Sequence, residues 1–242
     1  MGLKLMCVVA HPDDECFGFG GALALAADRG VDTYVVCLTD GQAATNRGNA
    51  ASGDELGAMR RAEFAASCDV LGVTRHELMD YQDGRLEFVE FSVAAERLVK
   101  RIRSFQPDVV ITFGGDGGQN THADHMMASA LTTAAFHWAR QEKRYPASGA
   151  VHQATRLYYL SANYHIPDRP PAMTMPWTVT LDTQSVQERR SEAFRKHTSQ
   201  APLMEKTKEF FAKYGHQEFY TLAAAVEPQP ARQMTDLFEG LS

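Results

Sequence analysis

Leu5-Met6-Cys7-Val8-Val9-Ala10 runs directly into His11-Pro12-Asp13-Asp14-Glu15. The first half is a short, continuous apolar run rich in valine, the pattern of a strand buried on both faces. The second half is polar and carries a proline, so the strand ends there. Residues 17–29 follow, rich in Ala, Leu and Gly and closed by Gly30, and their pattern predicts a helix. A second strand is expected at 33–38. A helix is expected at 54–71, before Gly72. A short strand at 77–81 precedes an Asp83-Gly84 turn. A helix at 89–105 stops before Pro107. Residues 108–113 form the clearest strand, because Val109-Val110-Ile111 is continuous β-branched sequence.

Strand and helix thus alternate, which implies a mostly parallel sheet covered on both faces. Ligands of such sheets bind beyond the carboxyl ends of the strands. Three polar loops follow three of the strands, at 11–15, 39–42 and 114–125, and the topology brings them together. The loop at 40–53 is long and rich in Gly, Asn, Ala and Ser, as functional loops often are. From about residue 150 the pattern is less regular. Strands are expected at 157–160 and 178–181, a stiff proline-rich loop at 166–176, and a helix ending at Lys196. No linker separates a second domain, so residues 1–242 read as one.

Composition fits this frame. The chain has 242 residues, 44% of them apolar and 22% charged, near the soluble globular average. Lys and Arg number 24 and Asp and Glu 30, so the formal net charge is −6. An acidic chain has no electrostatic reason to bind nucleic acid or anionic lipid. No apolar stretch approaches the ~18 residues of a membrane span. The start is too short an apolar run for a signal peptide. The four cysteines, Cys7, Cys16, Cys37 and Cys68, show no Cys-x-x-Cys spacing, and three lie in apolar runs. They predict buried thiols and a reducing, cytoplasmic setting.

The chemistry-bearing residues form two clusters. His11, Asp13 and Asp14 follow the first strand, and His122-Ala123-Asp124-His125 follows the clearest strand and its glycine-rich loop. Imidazole nitrogen and carboxylate oxygen are typical zinc ligands, and a catalytic zinc keeps about three protein ligands with one position open. His11, Asp14 and His125 would supply one such set, with Asp13 left over to take a proton from water. Spacing alone does not decide between Asp13 and Asp14. His122 can stabilise a developing oxyanion, and Asp124 can orient a histidine. Acidic residues before a helix also serve as caps, but two such clusters at the ends of two strands point to a metal. A His₂-carboxylate site suits Fe²⁺ as well as Zn²⁺.

The Ala10-His11-Pro12-Asp13-Asp14-Glu15 run with a later His-x-Asp-His resembles the zinc-dependent de-N-acetylases of the LmbE-like, GlcNAc-phosphatidylinositol deacetylase family. The resemblance extends through Leu38-Thr39-Asp40-Gly41, Arg60-x-x-Glu63, Leu71-Gly72-Val73 and Asp83-Gly84 to His197-x-Ser199-Gln200. It implies a Rossmann-like three-layer α/β domain that removes an N-acetyl group from an N-acetylglucosamine-type conjugate, such as GlcNAc-malate. It implies His11, Asp14 and His125 as zinc ligands, Asp13 as general base and later acid, and His122 as oxyanion stabiliser supported by Asp124. It implies Arg60, Asp83 and Gln42 as sugar contacts, and a homo-oligomer. Relatives commonly have Gly-His-Pro-Asp-His where this chain has Thr121-His122-Ala123-Asp124-His125, and Glu where Gln42 stands. These departures bear on the substrate. An amidase acting on a thiol-glycoside conjugate is the alternative enzyme. A metal-dependent sugar-binding protein is the alternative outside enzymes, and the Asp13 carboxylate argues against it, since binding needs no general base.

Overall fold

The structure is a computed structural model, and it describes residues 2–165, 173–227 and 232–241. Its centre is β1 (Lys4–Val9), in which Leu5 to Val9 have no solvent exposure. The strand pairs in parallel with β2 (Asp32–Thr39) on one side and with β4 (Val109–Phe113) on the other. Next to β2 lies β3 (Arg75–Tyr81), also parallel, and next to β4 lies β5 (Arg156–Ser161), again parallel. The order of the seven-stranded sheet is β3-β2-β1-β4-β5-β7-β6. The chain moves outward from β1 to β3, then returns to the other side of β1 with β4. The strand order therefore reverses between β1 and β4, and a crevice opens at the carboxyl ends of those two strands.

The connecting helices cover the sheet. A one-turn α1 (Asp14–Phe17), then α2 (Gly20–Asp28), joins β1 to β2, and α3 (Gly53–Leu71) joins β2 to β3. On the return, α4 (Phe91–Phe105) leads to β4 and α5 (Ala123–Ala139) to β5. Right-handed crossovers put α2 and α3 on one face and α4 and α5 on the other, as expected for a three-layer α/β fold. Local signals set the helix ends. The Ser52 hydroxyl accepts the Glu55 amide at the start of α3, and Gly72 closes that helix at φ +80°.

Two features depart from the sequence expectation. The helix expected at 17–29 is broken at Gly18-Phe19, and its first turn starts earlier, at Asp14. Distant groups satisfy the broken ends. Arg190 donates to the Cys16 and Phe17 carbonyls, and the Glu218 carboxylate accepts the Gly21 and Ala22 amides at 2.7 and 2.9 Å. Phe19 is fully buried against Phe113, which fixes the bend. The second departure is the last third of the chain. Strands β5 and β6 (Val179–Asp182) and helix α6 (Gln187–Arg195) lie near their expected places. A helix α7 (Ala201–Tyr214) and a strand β7 (Gln217–Ala225) come in addition. Strand β7 runs antiparallel between β5 and β6. Much of the proline-rich loop expected at 166–176 lies outside the described residues. All four cysteines are buried free thiols. Among the described residues, no helix is long and apolar enough to cross a membrane.

Candidate metal centre

The residue after β1 and the residues opening α5 meet at the β1/β4 crevice. Nδ1 of His11 lies 3.2 Å from Nε2 of His125. The Asp14 carboxylate closes the triangle, with Oδ2 3.6 Å from Nδ1 of His11 and Oδ1 3.3 Å from Nε2 of His125. Donors bound to zinc at ~2.0–2.1 Å in tetrahedral geometry stand about 3.3–3.4 Å apart. The three observed separations bracket that value.

The hydrogen bonds around the two rings give an independent test of the fit. Nδ1 of His125 faces the Gly117 carbonyl at 3.0 Å, so it carries the proton and Nε2 offers a lone pair. Nε2 of His11 faces two carboxylate oxygens, Asp83 Oδ1 at 3.0 Å and Asp124 Oδ2 at 3.2 Å, so it too carries a proton. These tautomers are assigned from the partners. Two nitrogens 3.2 Å apart then need a proton or a cation between them. Burial alone would lower the His11 pKa, but Asp124, Asp14 and Asp83 raise it well above the ordinary value. Burial opposes ionisation of Asp14 as well, yet His125 and His11 hold its carboxyl well below the usual range. The free protein keeps a proton where a divalent cation would displace it. The donor set suits such an ion.

Asp13 stands beside this triangle in an unusual conformation. Its φ is +105°, in the left-handed region, where a residue with a Cβ is strained by about 1–2 kcal/mol. Its amide donates to Glu15 Oε2 at 2.8 Å, and its carbonyl accepts the Phe17 amide at 2.9 Å. Its Oδ2 lies 3.0 Å from Nη2 of Arg60. Burial pushes the Asp13 carboxyl up to about 6, against the pull of Arg60 and with the repulsion of Asp14.

His122 is the N-cap of α5 and is exposed. Its Nδ1 accepts the Asp124 amide at 3.2 Å, which leaves the proton on Nε2. Burial, then the neighbouring His11 and His125, lower its pKa, so the ring is a neutral donor. The resemblance implies that Asp124 supports His122. The carboxylate instead serves His11 and also accepts the Gly84 and Leu86 amides at 2.7 and 3.0 Å, and only the Asp124 main chain touches His122. Asp83 reaches the other way as well, taking the Ala43 amide at 3.0 Å, while Gln42 Oε1 accepts the Asp83 amide at 3.3 Å. The loops after β2 and β3 are thereby tied together. Arg60, expected to touch sugar, is 3% exposed and is occupied by Asp13 and the carbonyls of Pro12 and Gly41.

Behind these residues lies a layer that spacing does not reveal. Glu15 is fully buried and takes Ser67 Oγ at 2.6 Å and His197 Nε2 at 2.7 Å. Glu63 takes the hydroxyls of Thr198 and Ser199. The signals for this layer in the sequence are the resemblances at Glu15, at Arg60-x-x-Glu63 and at His197-x-Ser199-Gln200. Glu15, Cys16 and His197 also lie close enough to share an ion. Burial pushes the Cys16 thiol well up, however, and its Sγ donates to the Asp13 carbonyl. A separate pocket of about 390 Å³ lies between α6 and α7. Its Arg190 and Arg195 are already spent on carbonyls and on Glu188 and Glu192.

A sheet whose switch point gathers two histidines and a carboxylate, flanked by a strained aspartate, defines a Rossmann-like α/β protein with a candidate metal centre. Residues 6–136, more than half of the chain, match the family described as PIG-L, GlcNAc-PI de-N-acetylase, and the chain belongs to that family. Two of its relatives are named as a deacetylase and an amidase, both hydrolytic enzymes. It is 31% identical over 234 residues to a 1D-myo-inositol 2-acetamido-2-deoxy-alpha-D-glucopyranoside deacetylase of Actinosynnema mirum, covering 83% of this chain and 81% of that protein. It is 32% identical over 177 residues to a mycothiol S-conjugate amidase of Streptomyces coelicolor, covering 65% of this chain and 60% of that protein. The fold matches that of N,N'-diacetylchitobiose deacetylase from Pyrococcus horikoshii with a TM-score of 0.76 at 24% identity, over 90% of this chain and 83% of that one.

Proposed function

We propose that the chain hydrolyses the N-acetyl amide of an N-acetylglucosamine-type conjugate, with a zinc ion held by His11, Asp14 and His125. The observation that carries this reading is the pair of histidine nitrogens facing each other at 3.2 Å beside Asp14, with a spare carboxylate adjoining. Family membership supports the deacetylase activity, and the relatives' names support an amino-sugar substrate.

A bound zinc ion supplies Lewis acidity, lowering the pKa of a water to ~7 and polarising a carbonyl. The protein's residues do the rest. Asp13 accepts the proton that the attacking water loses. His122 turns its Nε2–H to the oxygen that gains negative charge. Asp124 and Asp83 hold the His11 ring, and Gly117 holds that of His125. Asp13 then returns its proton to the leaving nitrogen. The C–N bond breaks, and acetate and a free amine remain.

The test is amine release by zinc-loaded and iron-loaded protein from GlcNAc, diacetylchitobiose, GlcNAc-malate and a thiol-glycoside conjugate. Release from an acetylated sugar that disappears in Asp13→Ala supports the reading. Full activity in metal-loaded Asp13→Ala overturns the role of Asp13. Release from the thiol-glycoside conjugate alone favours the amidase alternative, which the mycothiol S-conjugate amidase likeness supports. Sugar binding without amine release under either metal would mean a binding protein. Elemental analysis of anaerobically purified protein identifies the metal.

A further inference from the structure

Asp13 holds a conformation that its own chemistry disfavours, so something else must hold it there. Three elements converge on the group that does. Glu15 sits in α1, Ser67 in α3 and His197 just after α6, and all three are buried. Ser67 Oγ and His197 Nε2 both meet Oε1 of Glu15, at 2.6 and 2.7 Å. Oε2 is left for the Asp13 amide, at 2.8 Å. His197 is 1% exposed, and its other ring nitrogen has no partner. Its polar contact is therefore with Glu15. Glu15 itself faces no solvent and is not one of the metal-binding triangle.

We infer that Glu15 is a positioning residue for Asp13, holding the Asp13 main chain in its left-handed conformation so that the carboxylate stays beside Arg60 and the metal triangle. Ser67 and His197 fix Glu15 in turn. This rests on the proposed role of Asp13 as base. Its physical basis is narrow tolerance. A catalytic group displaced by about 1 Å can lose on the order of 10²-fold in rate. A main chain released from φ +105° moves the side chain that it carries. Glu63 provides the contrast. It is also a buried carboxylate, on α3, but its hydrogen bonds go to Thr198 and Ser199.

The experiment compares Glu15→Ala, Glu15→Gln and Glu63→Gln with the wild type by two readouts. The first is hydrogen exchange of the Asp13 amide, followed by NMR on metal-free protein. The second is kcat, KM and metal content of zinc-loaded protein. In Glu15→Ala the Asp13 amide should exchange at least tenfold faster. Its kcat should fall roughly 10²-fold, with KM and metal content little changed. Glu15→Gln keeps an acceptor oxygen and should recover most of that loss. Glu63→Gln should leave both readouts near wild type. Unchanged Asp13 exchange in Glu15→Ala overturns the inference, and so does a kcat loss that Glu63→Gln shares or that metal loss explains. Should Glu15→Ala not fold, Ser67→Ala and His197→Asn each remove one support of Glu15. Each should then give a partial fall in kcat and faster Asp13 exchange, and no change in either would overturn the inference. A wild type that cleaves no amide removes the deacetylase reading, while Asp13 exchange still decides whether Glu15 holds that residue.

Discussion

Replacing Asp124 by asparagine tests the reasoning that assigns the metal triangle. The aspartate has two acceptor oxygens and uses both. Oδ1 takes the Leu86 amide at 3.0 Å, and Oδ2 takes the Gly84 amide at 2.7 Å while facing Nε2 of His11 at 3.2 Å. Asparagine offers one acceptor oxygen and an NH₂ group that only donates. The less costly orientation keeps oxygen at the δ2 side and leaves the Leu86 amide facing an NH₂. A lost bond to a charged acceptor costs about 1.5–3 kcal/mol, and the two retained bonds weaken as the charge goes. The metal-free protein should therefore lose about 3 kcal/mol in urea unfolding. His11 also loses one of the two anions at its Nε2, with Asp83 remaining. Changing such an outer partner weakens metal affinity roughly 10–100-fold, or about 1.4–2.7 kcal/mol. Competition against a chelator of known affinity reads this directly. Urea unfolding with and without zinc reads it a second time, because the zinc-dependent part of the stability should shrink by the same amount. Zinc affinity within twofold of wild type would refute the claim that Asp124 supports the metal site through His11, leaving Asp83 alone to hold the His11 proton on Nε2.

Three further outcomes are expected. Asp13→Asn should keep its zinc and lose about 10²–10⁴-fold in kcat, and an activity within tenfold of wild type would remove Asp13 as the base. Gly41→Ala would put a methyl 2.0 Å from Nη1 of Arg60 at φ +67°, so urea unfolding should show a loss of about 2–4 kcal/mol; a loss below about 1 kcal/mol would mean that Arg60 moves aside freely. Glu77 is held below the ordinary glutamate pKa by Arg101 and Tyr34, which together outweigh its partial burial. A depressed acid stabilises above its unfolded pKa, and the benefit is lost as pH falls through the folded value. The melting-temperature gap between wild type and Glu77→Gln should be full at pH 7 and close below about pH 4, and a gap independent of pH would contradict this.

The sheet centre was legible because β1, β2 and β4 are continuous apolar runs that can only be buried. The meeting of His11, Asp14 and His125 could be expected because the loops that carry them follow two neighbouring strands, β1 and β4, although His125 comes twelve residues after Phe113. The break at Gly18-Phe19 was not, since the groups that stabilise it, Arg190 and Glu218, come from far along the chain. Strand β7 escaped for a related reason. Its run ends in Leu222-Ala223-Ala224-Ala225, a helix-like composition that takes extended form because β5 and β6 flank it. Arg60 shows the limit for the site itself. Its position in a motif says that it matters, and only the fold shows that its guanidinium faces Asp13.

His11 and His125 are 114 residues apart in the chain and meet only because β1 and β4 are sheet neighbours. During synthesis the first ligands leave the ribosome long before the last. At the ~5–20 residues per second of translation, that interval is several seconds or more. Over that time His11 and Asp14 cannot form the triangle. The proposed ion therefore finds all three donors together only once β4 has joined β1.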